Sequence, residues 1–414
     1  MSPMFGPILA QLVTLAVSDR TEGRVVHADE THLEGATYPR VGVSFAWKHA
    51  SLNLGYGPSL TVLRLESQRE LTVLHNAVVS GLYNWERSTL SVSESLGYGE
   101  INLQQLALAG PAAQPGAGGF PTPAGGATAP PPDGTTGGAG ATPPPGTTPP
   151  PANLIRASGG VIPFLTSTTT VTLNHRISPV WLVGGGVGYT IVGSVGEDAS
   201  AAFPVSKGPL AEVHASNRID RANAANLSIT TQAISAVGNN AWMATANAGW
   251  GRAWSLRTTT QLGSGVSISR NSQANGFVFW SIFPTFNASI SHVVPQGRSA
   301  FGFGSAISSA PVIDPTRASV DPKLTWSASA SWGLNRFYTG LNAGTAIAIA
   351  QHNYNSAFNS VYAGFNAGFN LGAGFSVDTG VRAFWQSVGG QTTAPATYAG
   401  YLGISFAIAT PLKR

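Results

Sequence analysis

Side chains that could carry acid–base or nucleophilic chemistry are sparse in this chain of 414 residues, of which only 10% are charged. The candidates for a general base are His175, His214 and His292, since histidine most often fills that role near neutral pH. None has a sequence-local partner for hydrolysis, so the pattern favours polar interior histidines. The sequence contains no nucleophile elbow, Walker loop or HExxH pattern. We therefore predict no catalytic residue, no cofactor and no metal site.

A glycine run at residues 184–188 has a superficial likeness to a nucleotide-binding loop. Such a loop follows a strand and opens a helix, whereas this run lies inside a strand pattern that extends from Trp181 to Ile191. We interpret its glycines as positions that lessen side-chain crowding on one face of a sheet.

The remaining polar candidates share one face of their segments with threonine, asparagine and serine. A charge placed against lipid would be unfavourable by about 2–4 kcal/mol at mid-bilayer, which predicts that this face points away from lipid and lines a lumen. The residues form either a constriction that selects solutes by charge and hydrogen bonding, or pairs across neighbouring strands that stiffen the wall. The predicted lumen-lining residues are Arg176, Glu212, His214, Arg218, Arg257, Gln261, Asp378 and Arg382.

The elements that position these residues are strands. In the stretch SVYAGFNAGFNL, Val361, Phe365 and Phe369 alternate with Tyr362 and Asn366, which is the periodicity of a strand with one apolar and one polar face. Segments of about ten residues with this pattern recur along most of the chain, the length that a tilted strand needs to cross a bilayer. We predict an all-β fold, a single antiparallel transmembrane β-barrel of about 18 strands (16–20) around an aqueous channel.

Short and long connections largely alternate between these segments. Because outer-membrane barrels have short periplasmic turns and long external loops, both termini are predicted to be periplasmic. The predicted tight turns are at 48–51, 86–89, 177–180, 220–222, 252–254, 295–298, 334–336 and 371–375. The predicted longer links are at 19–39, 101–160, 195–207, 270–277, 311–321 and 386–396, with two short external links near 66–69 and 238–241.

Six tryptophans fall within a few residues of the proposed short turns, where an amphipathic ring sits at headgroup level. This placement predicts an aromatic girdle on the periplasmic side. The girdle residues are Trp47, Trp85, Trp181, Trp250, Trp254 and Trp332.

Four regions follow from the composition. Residues 1–10 resemble the apolar tail of a secretory signal without its basic start, with an ordinary flexible terminus as the alternative. Residues 11–100 would supply barrel strands 1–5, and 161–414 strands 6–18. Between them, residues 101–160 contain a Pro/Gly-rich stretch that cannot pack a core, and form a disordered external loop between strands 5 and 6 or a plug in the lumen.

Composition excludes several classes of protein. The chain has no cysteine, which removes disulfide and thiolate-metal frameworks, and no run approaches the length of an apolar membrane helix. Its lysines and arginines are scattered and give a net charge of only +4, so we expect no nucleic-acid partner.

The alternation, turn pattern and tryptophan placement resemble those of Gram-negative outer-membrane porins, and the size and near-neutral lumen are weakly similar to the large barrels of polysaccharide export. This resemblance implies a non-enzymatic pore in the outer membrane, in contact with lipid, that passes polar solutes or secreted polysaccharide and works with periplasmic export machinery. One departure concerns the C-terminus, because porins typically finish on an aromatic residue whereas this chain ends at Arg414.

Two other functions remain open. One is a surface-display or adhesive barrel that presents residues 101–160. The other is a secretion translocator with a smaller C-terminal barrel, although strand patterns within residues 41–99 argue against a barrel confined to the C-terminal part.

Overall fold

The structure, a computed structural model, describes ten stretches of the chain. They are residues 12–27, 31–65, 68–102, 161–195, 204–296, 299–314, 318–349, 358–388, 391–392 and 396–412. The predicted signal remnant at 1–10 and nearly all of the predicted loop at 101–160 lie outside these residues. No helix in the described parts is long and apolar enough to cross a membrane.

Strands form wherever the alternating pattern occurs. Before residue 103 they are β1 (Leu12–His27), β2 (Thr31–Thr37), β3 (Arg40–Ala46), β4 (Ala50–Leu65), β5 (Gln68–Asn84) and β6 (Ser88–Asn102). After residue 160 they are β7 (Val161–Arg176), β8 (Trp181–Ser194), β9 (Ser206–Arg218), β10 (Asn223–Ala236), β11 (Asn239–Ala253), β12 (Thr258–Ser272), β13 (Val278–Gln296), β14 (Ser299–Asp314), β15 (Ser319–Leu334), β16 (Phe337–Ala348), β17 (Phe358–Gly372), β18 (Phe375–Val388), β19 (Gln391–Thr392) and β20 (Thr397–Leu412).

These strands make one closed antiparallel barrel. Strands β2 and β3 both pair with β1 and β4 and are one wall strand interrupted at Tyr38 and Pro39, where proline has no N–H to donate. Strand β19 is a two-residue extension paired with β18. The twenty assigned strands therefore give 18 wall strands. The first and last pair from Val13 with Leu412 to His27 with Tyr398, which confirms the predicted barrel.

The apolar face points outward. On β17, Val361, Phe365 and Phe369 are 45%, 42% and 45% exposed, although each is a large apolar side chain. On a barrel, exposure of this kind marks the wall that faces lipid, with polar residues at the alternate positions facing inward. Of the buried residues, a small apolar cluster on β10, β11, β14 and β15 fills only one part of the interior.

One predicted connection is wrong. Residues 19–39 were expected to form a long external link, whereas β1 continues to His27 and β2 begins at Thr31. The segment has many polar and charged residues, and strand pairing with β20 and β4 accommodates them by turning alternate positions inward. The predicted turn at 252–254 also comes too early, because β11 runs to Ala253 and the turn occupies 254–257.

The β14–β15 hairpin bends into the barrel near its external end. Strand β14 pairs with β13 only as far as Ser309, although its pairing with β15 continues to Asp314. Beyond that point β15 contacts β11 and β12, which are not its neighbours in the sheet, and the Val320 N–H donates to Asn271 Oδ1 at 3.0 Å. We call residues 310–314 and 318–322 the inward hairpin.

The inward hairpin packs against the inner wall. Its side chains Ile313, Ala318 and Val320 form a buried cluster with Ile234, Ala236, Ala241 and Met243 of β10 and β11. Wall residues Ser267 and Ser269 below it are 0% and 1% exposed. The hairpin thus narrows the external mouth from one side.

The position of the inward hairpin predicts a specific cross-link. In a chain without cysteine, the pair Asn271→Cys and Val320→Cys should form a disulfide under mild oxidation, because a backbone atom of one residue already contacts the side chain of the other and disulfides need Cα atoms roughly 4.4–6.8 Å apart. The control pair, Asn271→Cys with Ser331→Cys near the other end of β15, should keep both thiols. Free-thiol counting by mass spectrometry distinguishes the two, and an uncross-linked first pair would contradict the inward position.

Candidate functional site

The inner wall between β15 and β20 is a checkerboard of glycines and larger polar side chains. Along one row of paired residues, Gly340, Asn366, Gly380 and Tyr401 follow one another across β16, β17, β18 and β20. The neighbouring row on the same face is offset, with Asn342 facing Gly364. Every large side chain in these rows therefore has a glycine beside it.

The glycines let the larger side chains lie flat. A Cβ added to Gly344 would be 2.6 Å from the Tyr362 ring, and one added to Gly380 would be 2.7 Å from the Tyr401 ring. A Cβ on Gly364 would likewise be 2.6 Å from the Asn342 amide oxygen. These rings and amides occupy the space above neighbouring glycines instead of extending toward the channel axis. The result is a wall of low relief that is rich in hydrogen-bonding groups.

A network of ion pairs crosses the seam where the barrel closes. The Arg20 guanidinium on β1 donates to Asp378 on β18 at 2.8 Å and lies 3.1 Å from Glu22. Arg24 also pairs with Glu22, and lies 3.7 Å from Glu34 on β2. The network therefore joins three strands, with Arg20 reaching from β1 across β20 to Asp378 on β18 and Arg24 pairing toward β2. Paired in this way, the charges stabilise the seam.

The predicted residues Asp378 and Arg382 belong to this region. Asp378 is 4% exposed in its contact with Arg20, and the Arg382 guanidinium lies 4.9 Å from the centre of the Tyr401 ring, within cation–π distance. Sequence analysis missed Arg20, Glu22 and Arg24 because it treated 19–39 as a link. The alternation of these three charges with Thr21 and Gly23 was the signal that could have placed them on one strand face.

Glu212 and His214 lie together on the inner face of β9. His214 Nε2 is 2.8 Å from Asn174 Oδ1 on β7, and its Nδ1 is 3.9 Å from a Glu212 carboxylate oxygen. The intervening strand β8 provides Gly184, where a Cβ would collide with the imidazole. The glycine run on β8 is therefore part of a strand and does not form a nucleotide-binding loop. Its missing side chains leave room for His214 on β9 to contact Asn174 on β7 across β8.

Three other predicted lumen residues lie at the short-turn end of the barrel. Arg176 ends β7, Arg218 ends β9 and Arg257 lies in the turn before β12, while Gln261 lies farther along the inner face of β12. The three arginines lie around the short-turn rim, away from the seam network. Whether they act on solutes remains a prediction.

The turn after β9 is capped by Asp220. Its carboxylate accepts hydrogen bonds from the Asn223 side-chain amide at 2.7 Å and from the N–H groups of Ala222 and Asn223 at 2.6 and 2.8 Å. These bonds lower the pKa of Asp220, and the bond from the Asn223 side chain has the largest effect. The stability that these bonds contribute to the folded protein is present above the unfolded-state pKa of Asp220. It is lost as the pH falls through the lower folded-state pKa.

The six predicted girdle tryptophans lie within a few residues of short turns, with Trp250 and Trp332 still inside β11 and β15. Trp85, Trp181 and Trp254 are 51%, 46% and 56% exposed, and Trp332 is 38% exposed. Trp254 donates from its indole nitrogen to Thr260 Oγ1 at 2.9 Å, and the Arg252 guanidinium lies 4.1 Å from its ring centre. Trp47 and Trp250 are less exposed. An aromatic girdle at the headgroup level on the periplasmic side stays a prediction.

Glu94 and Asp19 lie on the outward face, against the expectation that charges avoid it. Glu94 on β6 accepts hydrogen bonds from Ser167, at 2.9 Å, and from Thr169 on β7. Asp19 on β1 accepts from Thr21 and Thr37, at 3.2 and 2.9 Å. Hydroxyl donors on the same face partly solvate each carboxylate, which lessens the unfavourable free energy of placing it toward lipid.

Among the described residues, no group of three or more histidine, aspartate or glutamate side chains is arranged to hold a metal ion. The polar groups of the inner wall are hydroxyls, amides, tyrosines and paired charges. Such groups bind water and polar solutes through many individually weak hydrogen bonds.

A closed barrel of 18 strands with an apolar exterior and a polar inner wall is a pore of the Gram-negative outer membrane. A sequence model of the EpsX exopolysaccharide export family matches residues 12–410, and the chain belongs to that family. The protein is an outer-membrane pore for polar solutes or secreted polysaccharide, with its outer wall in contact with lipid.

Solved structures of similar fold include OccAB4 from Acinetobacter baumannii, at a TM-score of 0.48 and 9% identity, with 98% of this chain and 100% of that chain covered. The outer membrane protein OpdK from Pseudomonas aeruginosa has a TM-score of 0.47 and 10% identity, with 97% of this chain and 100% of that chain covered. A comparison with curated protein sequences found no match.

The flat packing of tyrosine over glycine can be tested at Gly368, where an added Cβ would lie inside contact distance of the Tyr338 ring. Gly368→Ala should lower the free energy of unfolding by about 1–3 kcal/mol and reduce single-channel conductance, because the displaced ring extends into the lumen. Unfolding in lipid and planar-bilayer recording measure the two effects.

The control for this substitution is Gly400→Ala, since nothing lies within 4 Å of a Cβ at Gly400. It should leave both quantities close to wild type. Adding Tyr338→Ser to Gly368→Ala should restore the conductance. If Gly368→Ala and Gly400→Ala had the same unfolding free energy and the same conductance, the flat position of the Tyr338 ring would not depend on the glycine at 368.

Proposed function

We propose that this pore is a non-enzymatic conduit for secreted polysaccharide, preferentially of neutral or weakly charged chains, and that periplasmic export machinery supplies the polymer to its short-turn end. The observation that carries the proposal is the checkerboard of glycines and flat polar side chains on the inner wall. Membership in the EpsX exopolysaccharide export family supports the same cargo.

The inner wall suits a sliding polymer. A sugar chain presents hydroxyl groups at every unit, and each exchanges hydrogen bonds with water for bonds to the wall at a net gain of only about 0.5–1.5 kcal/mol. Side chains such as Asn342, Asn366 and Tyr401 offer these bonds without standing in the path of the chain. Many weak and similar contacts allow one unit to replace the next, so no single position traps the polymer.

The charges of the seam also suit a neutral cargo. Arg20 and Arg24 are paired with Glu22, Glu34 and Asp378, and Arg382 lies against an aromatic ring. Opposite charges at this distance leave a small net field in the lumen. A lumen built to attract a strongly anionic polymer would instead present unpaired cations along its length.

The proposal predicts which polymers cross the purified pore. In proteoliposomes, trapped neutral dextran should leave through the wild-type protein faster than dextran sulfate of equal chain length, with protein-free liposomes as the control for leakage. If the reconstituted protein conducts ions but the liposomes retain both polymers, polysaccharide passage is contradicted and the solute pore is not. If the protein gives no conductance, the surface-display function is favoured.

A variant lacking residues 111–152 tests the Pro/Gly-rich stretch in the same assay. Faster efflux from this variant would indicate that the stretch obstructs the lumen, and unchanged efflux would indicate an external loop.

A further inference from the structure

The outer wall carries a basic and aromatic surface near the external ends of β9–β13. We call Lys207, Trp242, Arg270 and Trp280 the cation–tryptophan patch. Trp242 on β11 pairs with Arg270 on β12, which in turn pairs with Trp280 on β13, so these three form one row across the sheet. Lys207 lies on β9, one residue after that strand begins at its external end.

The patch faces lipid and not the lumen. Ile268 and Ile282, two residues from Arg270 and Trp280 along their strands and therefore on the same face, are 39% and 70% exposed. The intervening Ser269 is 1% exposed beneath the inward hairpin. Since side chains alternate along a strand, the two isoleucines share the face of the patch, and they lie farther from the strand ends than Arg270 and Trp280 do. We therefore expect the patch at headgroup level and the isoleucines against acyl chains.

The aromatic side chains of the patch are ordered by mutual contact. The rings of Trp242 and Trp280 meet edge to face, with their centres 6.2 Å apart and an angle of 68° between their planes. The Arg270 guanidinium lies 5.9 Å from the centre of the Trp280 ring, within cation–π distance. The four residues of the patch, together with Ser235 and Asn240, line a cavity of about 470 Å³.

The two cations have no internal counter-charge in the described structure. Among the described residues, no ion pair includes Lys207 or Arg270. Arg20 and Arg24, in contrast, each contact carboxylates. A cation at headgroup level without a protein carboxylate is available to an anion of the membrane.

We propose that the cation–tryptophan patch binds the phosphorylated sugar headgroup of a lipopolysaccharide molecule in the outer leaflet. Lys207 and Arg270 are three strands apart, roughly 14 Å at the usual strand spacing, which suits a disaccharide that carries a phosphate at each end. The indole rings pack against the faces of the sugars, and Ile268 and Ile282 contact the acyl chains. This site is separate from the lumen and does not depend on which polymer the pore carries.

The site is tested by lipid binding to the wild-type protein in phosphatidylcholine nanodiscs. The probes are diphosphorylated lipid A and the same lipid after enzymatic removal of both phosphates, with bound lipid counted by native mass spectrometry. Diphosphorylated lipid A should bind at least tenfold more tightly, and inorganic phosphate in excess should not displace it. Equal affinity for the two lipids, or displacement by phosphate alone, would overturn the proposal without any variant.

Variants locate the site. Lys207→Gln with Arg270→Gln should abolish the preference for phosphorylated lipid, whereas Lys48→Gln with Arg336→Gln, which removes two cations from short turns at the opposite end of the barrel, should retain it. Trp280→Leu keeps both charges and removes a sugar contact. It should therefore lower the affinity for both lipids by a similar factor. Heat-modifiable migration on a gel verifies assembly of each variant, and unchanged preference in the first pair would assign lipid binding elsewhere.

Discussion

Closure of the sheet between its first and last strands is the constraint on which the rest of this structure depends. In hydrocarbon, an unpaired backbone N–H or C=O is unfavourable by several kcal/mol, so a membrane sheet cannot keep open edges. The pairing of β1 with β20 from Val13 to His27 removes them. The seam network of Arg20, Glu22 and Asp378 reinforces the same junction from the inner side. Closure therefore concentrates buried charge beside the seam.

The lumen of a closed sheet stays open only if the inward side chains do not fill it. In this barrel the pairing of large inward side chains with neighbouring glycines keeps the lumen open. Where two neighbouring inward positions both carried tyrosine or asparagine, one of them would have to extend toward the axis. The alternation of Tyr362 with Gly344 and of Tyr401 with Gly380 lets each ring lie along the wall. The inward hairpin then narrows only the external mouth, so the length of the channel and its entrance are shaped by different elements.

The strand alternation around Phe365 and Asn366 allowed the barrel and its approximate strand number to be predicted from sequence, whereas the periplasmic placement of the short turns stays a prediction. The second half of β1 and all of β2 were missed, because an inward row of Arg20, Glu22 and Arg24 resembles a solvated loop until its partners on β18 and β2 are known, although its alternation with Thr21 and Gly23 was visible in the sequence. The outward Glu94 and the bent β14–β15 hairpin were missed for a related reason. Both depend on contacts between residues far apart in sequence, with Ser167 and Asn271 respectively.

The most direct test of this account compares two neighbouring residues of β15, Ser327 on the inner face and Ala328 on the outer face. Each can be replaced by cysteine in a chain that has none, and both native side chains are small. A charged, membrane-impermeant thiol reagent applied to intact outer membranes should label Ser327→Cys through the water of the lumen and leave Ala328→Cys unlabelled in lipid. Labelling of Ala328→Cys with protection of Ser327→Cys would contradict a polar lumen inside an apolar wall.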